Sequence, residues 1–399
     1  MSKDFFTEQE ILFLLQKRQN NEDFDKITTA FNKKFKKNRS IDSIASAHRR
    51  YKDYTAGVDT SVKALKDKLQ VQRRSSVLQK ESRDILEHIA NKESLVESIQ
   101  EAVKKINKSK PVKVKVKKSV SKKNMTLELL VSDVHFGKKT NTVNGEAIRN
   151  RVRKMANVTL DEITRESKNF NVHRIIVAII GDIIESSHFH GTESEKSCEF
   201  GTARQVQEAI ESLFLDLLEP LAKTGLPIDV PCITGNHDRL ELEKTYVNPG
   251  ENNLSWIIYN SLALICKQSG YNNVKFDICR GSYTHLHVYD NVIIYEHGDE
   301  LKNLNRDTML NMMAKRQASI GKIAHFYRVG HWHNVTSYEQ GKVIVNGSVP
   351  GQDSYADVKG FDSDAIQVLN TYIETKSRKN CFFRSFPIYL GNVFKEKDL

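Results

Sequence analysis

The stretch TLELLVSDVHFG, residues 126–137, decides how the chain folds. Through Val131 it is rich in apolar, strand-forming residues and has the length of one buried strand. From Ser132 it becomes a loop, with Asp133 and His135 two residues apart. Alternate residues of a strand point to one side, so this carboxylate and imidazole can bind one ion together. The plan recurs in HRIIVAIIGD (173–182) and PIDVPCITGNHD (227–238). Apolar spacing predicts helices over 146–167, 202–224 and 253–269. The remainder, including HLHVYDNVIIYEHGD (285–299), HFYRVGHWH (325–333) and KVIVNGS (342–348), reads as mostly strand. Strands that alternate with helices and end in polar loops predict an α/β sandwich flanked by helices, with its site where the strand ends meet.

Five short motifs stand at those strand ends: Asp133-Val134-His135, Gly181-Asp182, Gly235-Asn236-His237-Asp238, His297-Gly298-Asp299 and Gly330-His331-Trp332-His333. The glycines let the backbone turn sharply and approach a ligand closely. His331 and His333 can serve one ion or address two adjacent ones. The donors are carboxylate, imidazole and one amide, without thiolate, which suits Mn²⁺, Fe or Zn²⁺. Seven donors exceed the needs of one tetrahedral ion and suffice for two ions sharing a carboxylate, with positions open for water and substrate.

In composition and order these motifs resemble the calcineurin-like metallophosphoesterase superfamily, over roughly residues 126–350. Glu296 departs from the pattern, standing before His297 where many members carry Gly. The resemblance implies two divalent metal ions, Mn²⁺ first among them. Asp133, His135 and His333 would hold one, and Asn236, His297 and His331 the other. Asp182 would bridge both. It also implies that His237 is the catalytic imidazole, oriented by Asp238, and gives a proton to the leaving oxygen. Asn236, His188 and Arg239 are candidate substrate contacts. Glu185 is either a support behind the ligands or an ordinary salt-bridge partner, and Lys138 and Lys139 either guide a polyanion or are solvated. His285, His287 and His325 read as satisfied core histidines.

The front of the chain has a different character. Residues 1–124 hold 30 Lys and Arg against 16 Asp and Glu, a net of +14, while the rest nets −3. Such asymmetry suggests a polyanion-binding end on a nearly neutral body. Residues 1–57 read as three short helices: one opened by a Thr7–Glu10 capping box, one from about Asp23, and one capped by Ser40 with Ile41, Ile44, His48 and Tyr51 inward. FFTEQE, DFDKITTAF and RSIDSIASAHRRY resemble a Myb/SANT-like helix-turn-helix, with Phe24 where that family usually has Trp. The resemblance implies DNA contacts by Arg49, Arg50 and Lys52, or else a small protein-interaction domain. Residues 58–124 follow as a helical connector and a Lys-rich linker, PVKVKVKKSVSKKN, read as a tether. The apolar stripe within 58–108 predicts either a homo-oligomer or docking on the catalytic domain, residues 125–399.

No apolar run reaches the ~20 residues of a membrane span, and the charged start is unlike a signal peptide. Five scattered cysteines argue against a disulfide framework. A soluble, cytoplasmic protein is expected, in host cytoplasm for a phage chain. The catalytic part also looks like Mre11-type DNA-repair exonucleases and the metallophosphoesterases of bacteriophage genomes. That likeness would imply an ATPase partner, on which the sequence itself is silent. The expectation is therefore a DNA nuclease. The alternatives are a phosphatase or nucleotide phosphodiesterase whose front end is a docking domain, and a DNA-binding factor on a metal scaffold without turnover.

Overall fold

The computed structural model describes residues 6–52, 94–106, 122–140, 143–186, 197–240, 246–351, 364–375 and 381–391. The chain divides into two compact units, residues 1–90 and 91–399.

The first unit contains α1 (Glu8–Gln19), α2 (Phe24–Phe35) and α3 (Ile41–Tyr51). The capping box forms: Thr7 accepts from the Glu10 amide, and the Glu10 carboxylate accepts the Thr7 amide at 2.8 Å. Ser40 caps α3 by accepting from the Ser43 amide at 3.2 Å. Phe6, Ile11, Leu14, Ile27, Phe31, Ile44, Ala47 and Tyr51 make the core. Ile41, expected inward, is 49% exposed, and Ala47 lies in the core instead. Arg49, Arg50 and Lys52 are exposed on the outer side of α3.

The second unit begins, among described residues, with α4 (94–106), whose Leu95, Ile99, Ala102, Val103 and Ile106 pack into the main core. This stretch of the apolar stripe is covered by the body of its own chain. The rest of the connector and the Lys-rich linker lie outside the described residues.

Two sheets follow. The first contains β1 (Asn124–Val131), β2 (Asn171–Ile180), β3 (Ile228–Ile233), β4 (Val274–Ile278), β10 (Ile366–Ile373) and β11 (Phe382–Tyr389), in the order β11-β10-β1-β2-β3-β4. The second contains β5 (Tyr283–Val288), β6 (Asn291–Glu296), β7 (Phe326–Val329), β8 (Thr336–Tyr338) and β9 (Val343–Val345), in the order β5-β6-β7-β9-β8. β1 to β4 run parallel, as do β6, β7 and β9. Side-chain alternation sorts each central strand between two layers. From β2, Ile175, Val177 and Ile179 enter the helix-side core, while Ile176, Ala178 and Ile180 face the second sheet.

The helix side of the first sheet is built by α5 (Gly145–Glu166), α6 (Thr202–Ser212) and α7 (Leu254–Gln268). α6 continues as a π-helical stretch over Leu213–Leu218 and a last turn over Glu219–Ala222. Pro220 lacks the N–H that an α-helix needs there, and the widened stretch before it accommodates the ring. α8 (Arg306–Ile320) packs outside the second sheet through Met309 and Met313. This helix corrects the expectation that the remainder is mostly strand. Its buried stripe is only two methionines wide, too weak a period to read, although Asn305 caps its start and Gly321 ends it at φ 64°.

Candidate metal centre

Every candidate donor lies just beyond the C-terminal end of a strand: β1, β2 and β3 in the first sheet, β6 and β7 in the second. The two sheets bring these ends to one edge of the sandwich. Strand alternation does not align the donors, contrary to expectation. Asp133, His135, Asp182, His331 and His333 all have φ between 50° and 69°, a left-handed backbone that side-chain-bearing residues seldom adopt. Such strain persists only where surrounding contacts over-determine it. Here the amide of Asp133 donates to Gly181 O at 3.0 Å, and those of Val134 and His135 donate to Asp182 O at 2.8 and 3.1 Å. Both oxygens of Asp133 accept from the His331 amide at 3.0 Å. Glycine is required where the loops meet. A Cβ on Gly235 would collide with the amide and carboxylate of Asp182, and one on Gly330 would come within 2.9 Å of Asp133 Oδ2.

The donors form two groups. Asp133, His135 and His333 make the first, with His135 Nε2 at 3.1 Å from His333 Nε2, and His333 Nε2 at 3.3 Å from Asp133 Oδ1. Asp182, His297 and His331 make the second, with His297 Nε2 at 3.1 Å from both Asp182 Oδ2 and Asn236 Oδ1. His331 and His333 thus go to different groups, which the sequence left open. A left-handed residue at each position turns the two rings apart.

The charges suit cation binding. Burial alone would raise the pKa of Asp182, but His297, His237 and His135 around it hold it well below the carboxylate range. Asp133 is likewise lowered against its burial, chiefly by His333. Burial pushes His135 and His331 down to about 4, which leaves them neutral ligands at pH 7. His297 rises to about 10 despite its burial, because Asp182 stands beside it. Two buried carboxylates, four imidazoles and an amide fit a pair of borderline divalent ions. Two imidazole nitrogens facing each other at 3.1 Å share at most one proton, and a cation relieves their repulsion.

His237 is partly buried beside both groups, its amide donating to Asp182 Oδ1 at 2.8 Å. Asp238 does not orient it as expected. The Asp238 carboxylate, fully buried, accepts from the amides of Ile184 (2.9 Å) and Gly235 (3.3 Å), and so ties two motif loops together. Burial, with Asp182 nearby, raises its pKa to about 6. The orienting contact comes instead from Glu185, whose carbonyl oxygen lies 3.0 Å from His237 Nδ1. The Glu185 carboxylate stands 2.7 Å from His135 Nδ1 and 3.4 Å from Lys138 Nζ. One residue thus positions both a candidate ligand and His237, and Lys138 is buried against it rather than solvated.

Other candidates are placed as follows. Arg239 donates from Nη2 to Asp299 Oδ2 at 2.7 Å, joining the GNHD and HGD loops. Glu296 sits under His297, bound by Arg316 Nε (2.9 Å) and the Tyr327 hydroxyl (2.7 Å). His188 lies outside the described residues. His325 accepts from the Val292 amide at 3.1 Å, as expected of a satisfied histidine, but it is only half-buried rather than a core residue. His285 and His287 are not core residues; they lie on edge strand β5 with Lys322 Nζ at 3.0 and 3.4 Å.

Sequence reading missed Gln205 and Gln367. Gln205 Oε1 accepts the Ser186 amide at 2.9 Å behind the Asp182 loop, and Gln367 Oε1 accepts the Ser132 amide at 3.0 Å beneath Asp133. Neither carries a sequence signal, because each meets the site from a distant element.

Solved structures similar to this chain include vacuolar protein sorting 29 of Cryptosporidium parvum, at 12% identity and TM-score 0.29, covering 66% of this chain and 98% of that one. Another is a novel archaeal phosphodiesterase, at 11% and 0.29, covering 66% and 99%. A third is a hypothetical protein of Pyrococcus horikoshii OT3, at 12% and 0.33, covering 68% and 90%. No curated protein sequence matches the chain. The family profile for calcineurin-like phosphoesterase does match, over residues 129–347. That span is more than half of the chain and holds every donor described above, so the chain belongs to the calcineurin-like phosphoesterases, a family of metal-dependent phosphoesterases.

Proposed function

We propose that this phosphoesterase is a DNA nuclease, cleaving phosphodiester bonds of a strand gripped in part by its basic front end. The observation that carries the reading is the charge division: a net of +14 on residues 1–124 ahead of a phosphoester-cleaving site. A long polyanion uses such a surface, and a small ester does not. Exposed Arg49, Arg50 and Lys52 on α3 are the first candidates for phosphate contacts.

Asp133, His135 and His333 would hold one divalent ion and Asn236, His297 and His331 the other, with Asp182 shared. Mn²⁺ suits the set, with Fe or Zn²⁺ as alternatives. Ions bound there would neutralise phosphate charge and activate water for in-line attack. His237 acts on the opposite side of the reaction. Its Nδ1–H donates to the Glu185 carbonyl, which aims Nε2 away from the loop. As imidazolium it can give its Nε2 proton to the departing oxygen. Arg239, held by Asp299 at 2.7 Å, is our candidate for a phosphate contact.

The test is cleavage of labelled plasmid and linear DNA with Mn²⁺, beside bis-p-nitrophenyl phosphate, with His237→Asn as control. The expected result is DNA cleavage that disappears in the variant and falls steeply with salt. Hydrolysis of the small ester with DNA untouched would overturn the nuclease reading and move the protein to the phosphatase branch.

A further inference from the structure

We propose that Lys322, His285 and His287 form an anion site on the outer face of the second sheet, which holds a backbone phosphate of the DNA away from the bond being cut. That the phosphate belongs to DNA rests on the reading above; that the cluster takes a phosphate rests on its own geometry.

β5 is an edge strand of the second sheet. His285 is paired with Ile294 and His287 with Val292, and opposed residues of an antiparallel pair share a face. Ile294 packs with Met309 and Met313 of α8, so both imidazoles stand on the α8 side. Lys322 reaches them from the turn that ends α8 at Gly321. Its Nζ lies 3.0 Å from His285 Nε2 and 3.4 Å from His287 Nε2, so nitrogens from two elements converge on one point. The strand is held from the first sheet: Arg174 Nη1 donates to the His287 carbonyl at 2.8 Å while its Nε donates to Asp229 at 2.6 Å. His287 and Lys322 are exposed and His285 is half-buried.

With both rings neutral, the Lys322 ammonium donates to the two Nε2 atoms and the cluster carries one positive charge. Protonated rings turn their own N–H groups on the same point, and like charges this close repel unless an anion lies between them. A phosphate has acceptor oxygens enough for all three donors. Burial first, then Lys322 and His287, hold the His285 pKa below its ordinary value, against the pull of Asp277. That carboxylate is engaged by the Thr284 hydroxyl at 2.8 Å. Across β6, His325 is lowered by burial, by Lys342 and by His287. Binding a phosphate therefore takes up protons and strengthens as pH falls. Along β5 the two histidines sit two and four residues from Tyr283, whose partner Glu296 precedes His297. That is roughly 7 and 14 Å of strand, so only a substrate longer than one phosphodiester engages both places.

The experiment uses the full chain. Inorganic phosphate is titrated while the imidazole nitrogen signals of His285 and His287 are followed by NMR. Both should move toward the protonated position, Lys322→Gln should abolish the shift, and Lys322→Arg should keep it. In His237→Asn, which should hold DNA uncut, His285→Gln with His287→Gln should weaken binding of a long oligonucleotide about tenfold near pH 6 and about twofold or less near pH 8. The salt dependence should become shallower by about one phosphate contact. In the cleaving chain, the same pair of substitutions should leave hydrolysis of bis-p-nitrophenyl phosphate unchanged. Signals that ignore phosphate but shift with Zn²⁺ would overturn the anion site and make the pair a metal chelate. Equal DNA affinity and salt slope in the double variant, with DNA still cut, would overturn the DNA contact. Wild-type protein whose two histidines shift with phosphate but which neither binds nor cuts DNA would overturn the nuclease reading while upholding the phosphate site.

Discussion

Two buried polar clusters lie in one unit and have opposite characters. Between the sheets, Glu128 and Arg328 are fully buried. Glu128 accepts from Arg328 Nε (3.0 Å), Asn370 (2.7 Å) and the hydroxyls of Tyr295 and Tyr372 (both 2.6 Å). Arg328 spends its other N–H groups on the carbonyls of Tyr327, Gly341 and Lys342 and on Tyr372. The charges are opposite and the protein itself satisfies them. At the strand ends, Asp133 and Asp182 stand among histidines whose nitrogens face one another, on left-handed backbone. The charges of the first cluster are met within the chain, and the second is a candidate cation site. Burial of charge is common to both; what separates structure from function is whether the partners come from the chain.

The largest expected effects fall on the second cluster. Asp182→Asn removes the carboxylate of the group formed with His297 and His331, and phosphodiester turnover should drop on the order of 10³-fold or more. Metal titration by calorimetry should show weakened binding; two full equivalents bound as tightly as before would break the comparison. His237→Asn should cost about 10²- to 10⁴-fold in turnover while metal binding persists.

Arg328→Met strikes the first cluster, leaving Glu128 as an uncompensated buried charge. Urea unfolding should show a loss of about 3–5 kcal/mol. Metal bound per folded molecule should not change, and a change would show that the two clusters are coupled.

Chelation gives a smaller shift. Removing metal held at 100 times its dissociation constant should lower stability by about 2.7 kcal/mol, read as a lower midpoint in calorimetry. An unmoved midpoint would mean that no cation completes the second cluster.

The smallest effect extends the comparison to the three-helix unit. Glu10 is buried there, its carboxylate 2.7 Å from Lys37. Its pKa is lowered: burial opposes this, but Lys37 and the Thr7 amide outweigh it. A depressed carboxylate stabilises the fold above its unfolded pKa, near 4.3, and that contribution is lost as pH falls below it. Thr7→Ala should cost about 1 kcal/mol of local stability. Hydrogen exchange of the α1 amides in the full chain would report both effects, and no acceleration below pH 4 would refute the Glu10 contribution.

The sequence by itself determined the donor inventory, the strand-then-loop plan and the capping of the first helices. These are readable because each is local: a donor two residues from another, a hydroxyl three residues before a Glu, an apolar run ending in Gly-Asp. Tertiary structure alone decided the rest. That His331 and His333 serve different groups depends on left-handed backbone held by hydrogen bonds to Asp133, 198 residues away. That Glu185, not Asp238, orients His237 depends on two loops meeting across the strand ends. That Glu128 is buried depends on Arg328 arriving from the other sheet, 200 residues later. Such contacts leave no periodic trace in the chain, because the energy that selects them comes from groups brought together only when the sheets pack.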